Sequence, residues 1–114
     1  MVNTGDNFYP YGLKSFDGAQ VDTSWRDVYR LPHPALAPLP WLSVLGNHDY
    51  RAMPEAEVLL AANDALWVMP ARYYKLTPPK AAARGISLEL FFIDTNPFIP
   101  FYAGKSLGIN NKTT

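Results

Sequence analysis

Trp41-Leu42-Ser43-Val44-Leu45-Gly46-Asn47-His48-Asp49 is the stretch that decides how this chain folds. Five residues that read as a short buried strand run into a glycine stop, and an amide, an imidazole and a carboxyl follow just past its end. Upstream, Gly5-Asp6-Asn7-Phe8-Tyr9 sets a second glycine before a carboxylate and, three residues on, a phenol. Gly5 permits a sharp exit from a strand, and the three-residue offset lets Asp6 and Tyr9 return toward one point. Together the two stretches put oxygen donors, a phenol and an imidazole at the ends of two strands. Read singly, each also fits an ordinary hydrogen-bonded turn, with Phe8, Tyr9 and Tyr11 as core or surface aromatics.

Working outward, Val21, Trp25, Val28 and Tyr29 recur at helical spacing and predict a helix over 22–30, with Asp22 or Thr23 as its cap. Pro32, Pro34, Pro38 and Pro40 then impose an extended connection. Pro54 suits a first helical position, Glu55 and Glu57 suit the first turn, and an Ala/Leu-rich run carries that helix to about residue 63. Strands are expected over 73–76 and 86–93, the latter with Ile86, Leu88, Leu90 and Phe92 on one face. The order β, α, β, α, β, β implies a mixed α/β architecture with functional groups on loops at strand ends. Met1 to Thr4 are too few for the strand that should carry Asp6 to the sheet edge, so an N-terminus shorter than the fold needs is expected.

Composition narrows the partners. The 114 residues are 48% hydrophobic with 10 basic and 10 acidic side chains, which describes one ordered unit and no electrostatic footprint for nucleic acid or an anionic membrane. The absence of cysteine removes disulfides and thiolate metal sites. No apolar stretch approaches the roughly 20 residues of a bilayer span. His33, between two prolines, reads as solvent-exposed. Trp25, Trp41 and Trp67 read as core, Tyr73 and Tyr74 as one exposed and one buried strand residue, and Asp94 as a structural group closing its strand. Asn111-Lys112-Thr113 is a glycosylation sequon, informative only in a secreted chain. Residues 102–114 lose apolar periodicity and are expected to form a disordered tail.

In one-letter form the two opening stretches, GDNFY and GNHD, resemble the second and third signature blocks of the calcineurin-like metallophosphoesterases, and specifically the purple acid phosphatases with their GDxxY tyrosine. The segment from Trp67 through Pro70-Ala71-Arg72-Tyr73-Tyr74-Lys75-Leu76 to Leu90-Phe91-Phe92-Ile93-Asp94-Thr95 is similar to the tartrate-resistant type. The likeness therefore covers most of residues 3–95. It implies an α/β fold, a partial metallophosphoesterase β-sandwich of mixed sheets flanked by helices.

The resemblance also implies roles. Asp6 would bridge two metals, Tyr9 would bind the ferric ion and colour it by charge transfer, and Asn47 would serve the second, divalent metal. The implied cofactor is a dinuclear centre, iron with zinc, manganese or a second iron. His48 would hold the phosphate and help protonate or stabilise the leaving alkoxide, a role suited to a side chain titrating near neutrality. Asp49 would orient His48 from behind. The implied reaction is hydrolysis of phosphate monoesters, small molecules or phosphoproteins, by attack of hydroxide on phosphorus at two metals.

A two-metal clamp draws ligands from several loops. The family adds an aspartate in an upstream DxG block and histidines in downstream VxxH and GHxH blocks. No DxG precedes Asp6 and no histidine follows His48, which leaves His33 and His48 as the only imidazoles. Residues 1–101 are therefore expected to be a partial domain lacking those blocks, and the chain an incomplete part of an enzyme. Two other readings stand beside it: a non-catalytic remnant that binds a partner through uncovered apolar surface, and a phosphodiesterase or nucleotidase of the same superfamily. The resemblance allows a secreted or vacuolar/lysosomal location, although no signal peptide precedes Asp6, and the oligomeric state is not legible.

Overall fold

Three short parallel strands, β1 (Val2–Asn3), β2 (Trp41–Ser43) and β3 (Trp67–Val68), form the first sheet in the order β1-β2-β3. The structure, a computed structural model, describes residues 1–106. Val2 pairs with Leu42 and Asn3 with Ser43, while Trp41 pairs with Trp67. The residues before Asp6, expected to be too few for a buried strand, form a two-residue edge strand: the Leu42 amide donates to the Met1 carbonyl at 2.9 Å, and Val2 faces solvent. Because the ladder is parallel, β1 and β2 end at the same sheet edge, and this alone brings Gly5-Asp6 beside Gly46-Asn47. The regular part of β2 closes at Ser43, two residues before Leu45, because the β1 partner runs out at Asn3.

The first helix, α1, spans 19–30 as a short α-helical start, Ala19–Val21, that widens into a π-type segment, Asp22–Arg30. It begins three residues before the expected 22, with Gly18 at the cap and the Val21 amide on the Gly18 carbonyl at 3.0 Å. Neither Asp22 nor Thr23 caps it: Asp22 pairs with Arg26 at 2.8 Å, and Thr23 Oγ1 donates back to the Ala19 carbonyl. The Leu31 amide reaches the Arg26 carbonyl, five residues back, at 2.9 Å. That wider winding explains why the expected face is only half right. Val21 and Trp25 are buried, whereas Val28 and Tyr29, placed one further turn along, rotate out to 45% and 43% exposure.

Helix α2 (Glu55–Asn63) follows a 3₁₀ turn at Asp49–Arg51, with Pro54 at its cap, one residue ahead of the first helical position expected for it. The second sheet pairs β4 (Tyr74–Leu76) antiparallel with β5 (Leu90–Phe92). β5 is far shorter than the expected 86–93. Leu76 pairs with Leu90, and beyond it come Pro78 and Pro79, which lack the amides a ladder requires. Residues 79–82 instead form a helical turn, α3 (Pro79–Ala82), leaving Ile86 and Leu88 exposed. Within β5 the expected alternation holds, with Phe92 buried and Phe91 65% exposed. A final 3₁₀ turn, Asn96–Phe98, leads into α4 (Pro100–Ser106). This helix enters the stretch expected to be disordered. Tyr102 is buried there with its ring 5.5 Å from that of Tyr50; the rest of the expected tail, 107–114, lies outside the described residues.

The three tryptophans form the centre of the core, as their sequence context implied. Trp25 meets Trp67 edge-on at 5.0 Å and Trp41 at 6.3 Å, and Phe8 packs on Trp67 at 5.4 Å. Tyr74 ties the two sheets together: its ring stacks on Phe92 at 4.5 Å, and its hydroxyl lies 2.7 Å from the Ser43 carbonyl and 2.9 Å from that of Val68. Burial pushes the Tyr74 phenol up to about 12, so this bridge persists through ordinary alkaline conditions. Asp94, read as structural, is buried and accepts from the Tyr50 hydroxyl and from both nitrogens of Asn96.

Asp64 clamps α1 to the end of α2, accepting from Arg26 Nη2 at 2.9 Å, Arg30 Nη1 at 3.3 Å and the Leu66 amide at 3.0 Å. Partial burial opposes its charge, but the Leu66 amide and the two guanidinium groups hold its carboxyl below the usual range. The stabilisation is thus present above the unfolded value near 3.8 and is lost as pH falls through the lower folded one. Asp64→Asn is expected to lower the urea-unfolding free energy by about 1–2 kcal/mol at pH 7. Its deficit against the parent should shrink below pH of about 4; a deficit independent of pH would assign the clamp to shape rather than charge.

Candidate functional site

Gly5 and Asp6 carry successive left-handed backbone angles, φ +104° and +53°, at the end of β1. Aspartate tolerates that region better than most residues, and the turn swings the Asp6 carboxylate across the sheet edge toward the loop after β2. There Asp6 Oδ1 accepts from the His48 amide at 2.9 Å, and Oδ2 accepts from the Tyr9 hydroxyl at 2.7 Å. The Tyr9 and His48 rings stand 4.4 Å apart. Three of the expected site residues therefore meet directly, and the exposed Asn47 side chain adjoins them in sequence.

The electrostatics follow from these contacts. Partial burial works against ionisation of Asp6, yet the His48 amide and the Tyr9 hydroxyl hold its carboxyl below the ordinary value. Donation to Asp6 holds the Tyr9 phenol above its ordinary value. His48 Nδ1 lies 2.8 Å from the Pro10 carbonyl. A carbonyl only accepts, so Nδ1 carries the hydrogen, and Nε2 is the nitrogen left for chemistry.

Asp49, expected to orient His48, is directed elsewhere. It is fully buried; Oδ1 accepts from the Asn7 amide at 2.9 Å and the Phe8 amide at 3.1 Å, and Oδ2 from the Gly46 amide at 2.8 Å. Burial pushes its carboxyl up despite these donors. The ring of His48 is held by Pro10, and Asp49 binds the two loops to each other. Sequence reasoning also missed Asn7 and Glu57. Asn7 Nδ2 donates to the Val44 carbonyl at 2.9 Å and to Glu57 Oε2 at 2.8 Å, and Glu57, given only a first-turn place in α2 by the sequence, is wholly buried. No local signal marked it, since the run Val58-Leu59-Leu60-Ala61-Ala62 is apolar on every face of α2.

A cleft of about 400 Å³ opens beside Asp6, Asn7 and Tyr9 and is floored by Trp25, Tyr29 and Trp41. One carboxylate, one phenol and one amide suit hard or borderline cations. Among the described residues no group of three or more His, Cys, Asp or Glu side chains gathers to hold a metal. Among the described residues, too, no helix is long and apolar enough to cross a membrane.

Purple acid phosphatase 4 of Arabidopsis thaliana is 36% identical to the chain over 104 residues, 90% of this chain and 27% of that protein. The sequence is purple-acid-phosphatase-like. Purple acid phosphatase 17 of the same plant is 35% identical over 110 residues, and tartrate-resistant acid phosphatase type 5 of Sus scrofa is 28% identical over 95. The chain thus spans about a quarter of the length of the curated relatives it matches, 27% in the first case. No family model matches it. Among solved structures, GAP50, described as the anchor in the inner membrane complex of Plasmodium, superposes with a TM-score of 0.64 over 94% of this chain and 36% of its own, at 24% identity. That likeness concerns the fold. The mixed α/β arrangement, one parallel and one antiparallel sheet with helices, is that expected of part of a metallophosphoesterase sandwich.

Proposed function

We propose that the chain contributes part of the centre of a metal-dependent phosphatase acting on phosphate monoesters, small molecules or phosphoproteins. The observation that carries this reading is the meeting of the two glycine-led loops, in which Asp6 touches both Tyr9 and His48. Asp6, Tyr9 and Asn47 are the residues that would hold a dinuclear centre of iron with zinc, manganese or a second iron. When bound, such a centre supplies an acidified water and positive charge against the phosphoryl oxygens.

The protein's own groups do the rest. Asp6 would offer its carboxylate oxygens to the centre; they accept from the Tyr9 hydroxyl and the His48 amide. Tyr9 would bind such a centre through its phenolic oxygen, giving up its proton. His48, fixed through Nδ1 by Pro10, directs Nε2 outward, where its protonated form donates to the leaving oxygen. The aromatic floor of the cleft takes the alcohol portion of the ester. A secreted or vacuolar/lysosomal setting accords with the resemblance.

The partial ligand set favours a second reading, a non-catalytic binding module. Exposed Phe91, Ile93 and Phe98 supply apolar surface for it. Hydrolysis of p-nitrophenyl phosphate by the chain, supplied with iron and zinc or manganese, separates the two. Asp6→Asn is expected to lower turnover by more than about 100-fold, the upper end of what residues merely supporting a metal site contribute. Tyr9→Phe is expected to abolish the visible charge-transfer band of the iron-loaded protein. Equal turnover in the parent and the Asp6 variant would overturn the phosphatase reading, and absence of turnover with every metal would favour the binding module.

A further inference from the structure

Helix α2 sends one polar side chain under both motif loops. Glu57 is fully buried, and its Oε2 accepts from Asn7 Nδ2 at 2.8 Å while the same amide group also donates to the Val44 carbonyl. The Asp49 carboxylate neighbours Glu57 on the other side and holds the amides of Asn7, Phe8 and Gly46. The loop after β1 and the loop after β2 are thus tied to each other by Asp49 and to α2 by Glu57. Building on the phosphatase reading, we propose that Glu57 is a positioning residue: by holding Asn7 and Asp49 in one cluster, it fixes the separation of the loops that bear Asp6 and His48.

The cluster has the chemistry this role demands. Burial, and after it the charge of Asp49, push the Glu57 carboxyl well above the ordinary range, which favours its neutral form. Oε1 is buried and has no protein donor, which suits the protonated oxygen of a neutral carboxyl. A carboxyl that accepts on one oxygen is replaced in shape and in that hydrogen bond by a glutamine amide. An apolar side chain of similar size replaces the shape alone. Glu57 therefore differs from a core residue whose contribution is volume: its effect on the loops should follow hydrogen bonding and survive the change to Gln.

Amide hydrogen exchange of the full chain, read by NMR without metal or substrate, tests this independently of any phosphatase activity. In Glu57→Gln, the amides of Asn7, Phe8, Gly46 and His48 are expected to exchange within about threefold of the parent. In Glu57→Leu they are expected to exchange at least about tenfold faster, while the amides of Trp41 and Leu42 in the sheet stay unchanged. Asn7→Ala removes the acceptor's donor from the loop side, spares the core, and should release Phe8, Gly46 and His48 in the same way, which keeps the question open to test if Glu57→Leu fails to fold. Unchanged exchange at those amides in both Glu57→Leu and Asn7→Ala would overturn the proposal. So would a rise at Trp41 and Leu42 equal to that in the loops, or a Glu57→Gln variant as loosened as Glu57→Leu. Failure of the phosphatase reading would show in turnover and leave these exchange rates as they are.

Discussion

Asp49→Ala is expected to cost about 3 kcal/mol or more of unfolding free energy, because it strips the acceptor from three backbone amides at once and each such group left unpaired costs about 1–3 kcal/mol. The amides are those of Asn7, Phe8 and Gly46, and that of Phe8 is fully buried. Asp49→Asn should be milder. Its single oxygen can keep Asn7 and Phe8, while its amide nitrogen faces the Gly46 amide, donor against donor, for a cost of about 1–2 kcal/mol. Urea denaturation of both variants reads the difference. An Asn variant as damaged as Ala would assign the effect to the negative charge itself. An Ala variant within about 0.5 kcal/mol of the parent, the range of an ordinary surface change, would remove Asp49 from its role in joining the loops.

Such a role for Asp49 could not be read from the sequence, and the reason is physical. The sequence told which residues stand near β-strand ends, because glycine stops and short apolar runs are local signals. It told that Asp6, Tyr9, Asn47 and His48 travel as a set only through the resemblance of GDNFY and GNHD to known blocks. Where each carboxylate points depends on neighbours more than forty residues away: Asp49 bonds Asn7 and Phe8, and Asp6 bonds His48. The burial of Glu57 was not legible for the same reason, since a first-turn glutamate is an ordinary surface residue unless another segment covers it. Helix α1 failed differently. Val28 and Tyr29 follow the spacing of an α-helix, and the wider winding marked by the Leu31–Arg26 bond turned that spacing outward. The strand over 86–93 was cut short by its partner, since alternation in one strand says nothing of where the neighbouring one reaches its prolines.

Gly46→Ala should do the most damage to the site itself for the smallest change in mass. The sheet edge brings the two motif glycines together: a Cβ built on Gly5 would stand 2.7 Å from the Gly46 nitrogen and 2.8 Å from its Cα. One built on Gly46 would fall on the Asp6 backbone nitrogen and on Asp6 Oδ1, the oxygen that accepts from the His48 amide. Neither obstacle is the free end of a flexible chain, since Asp6 holds a left-handed φ and its carboxylate is bonded on both oxygens. The loops must therefore part, at an overpacking cost of about 1–3 kcal/mol. The larger consequence concerns the proposed centre, because a carboxylate displaced by the width of a methyl group would no longer serve it in place, and a misplacement of about 1 Å at a reacting centre can cost about 100-fold. Gly46→Ala is thus expected to remain folded, judged by its urea midpoint, with the Tyr9 charge-transfer band of the iron-loaded protein and p-nitrophenyl phosphate turnover both reduced at least as far as in Asp6→Asn. A folded Gly46→Ala protein that keeps its colour and its rate would show that the close approach of these two loops is incidental to the site.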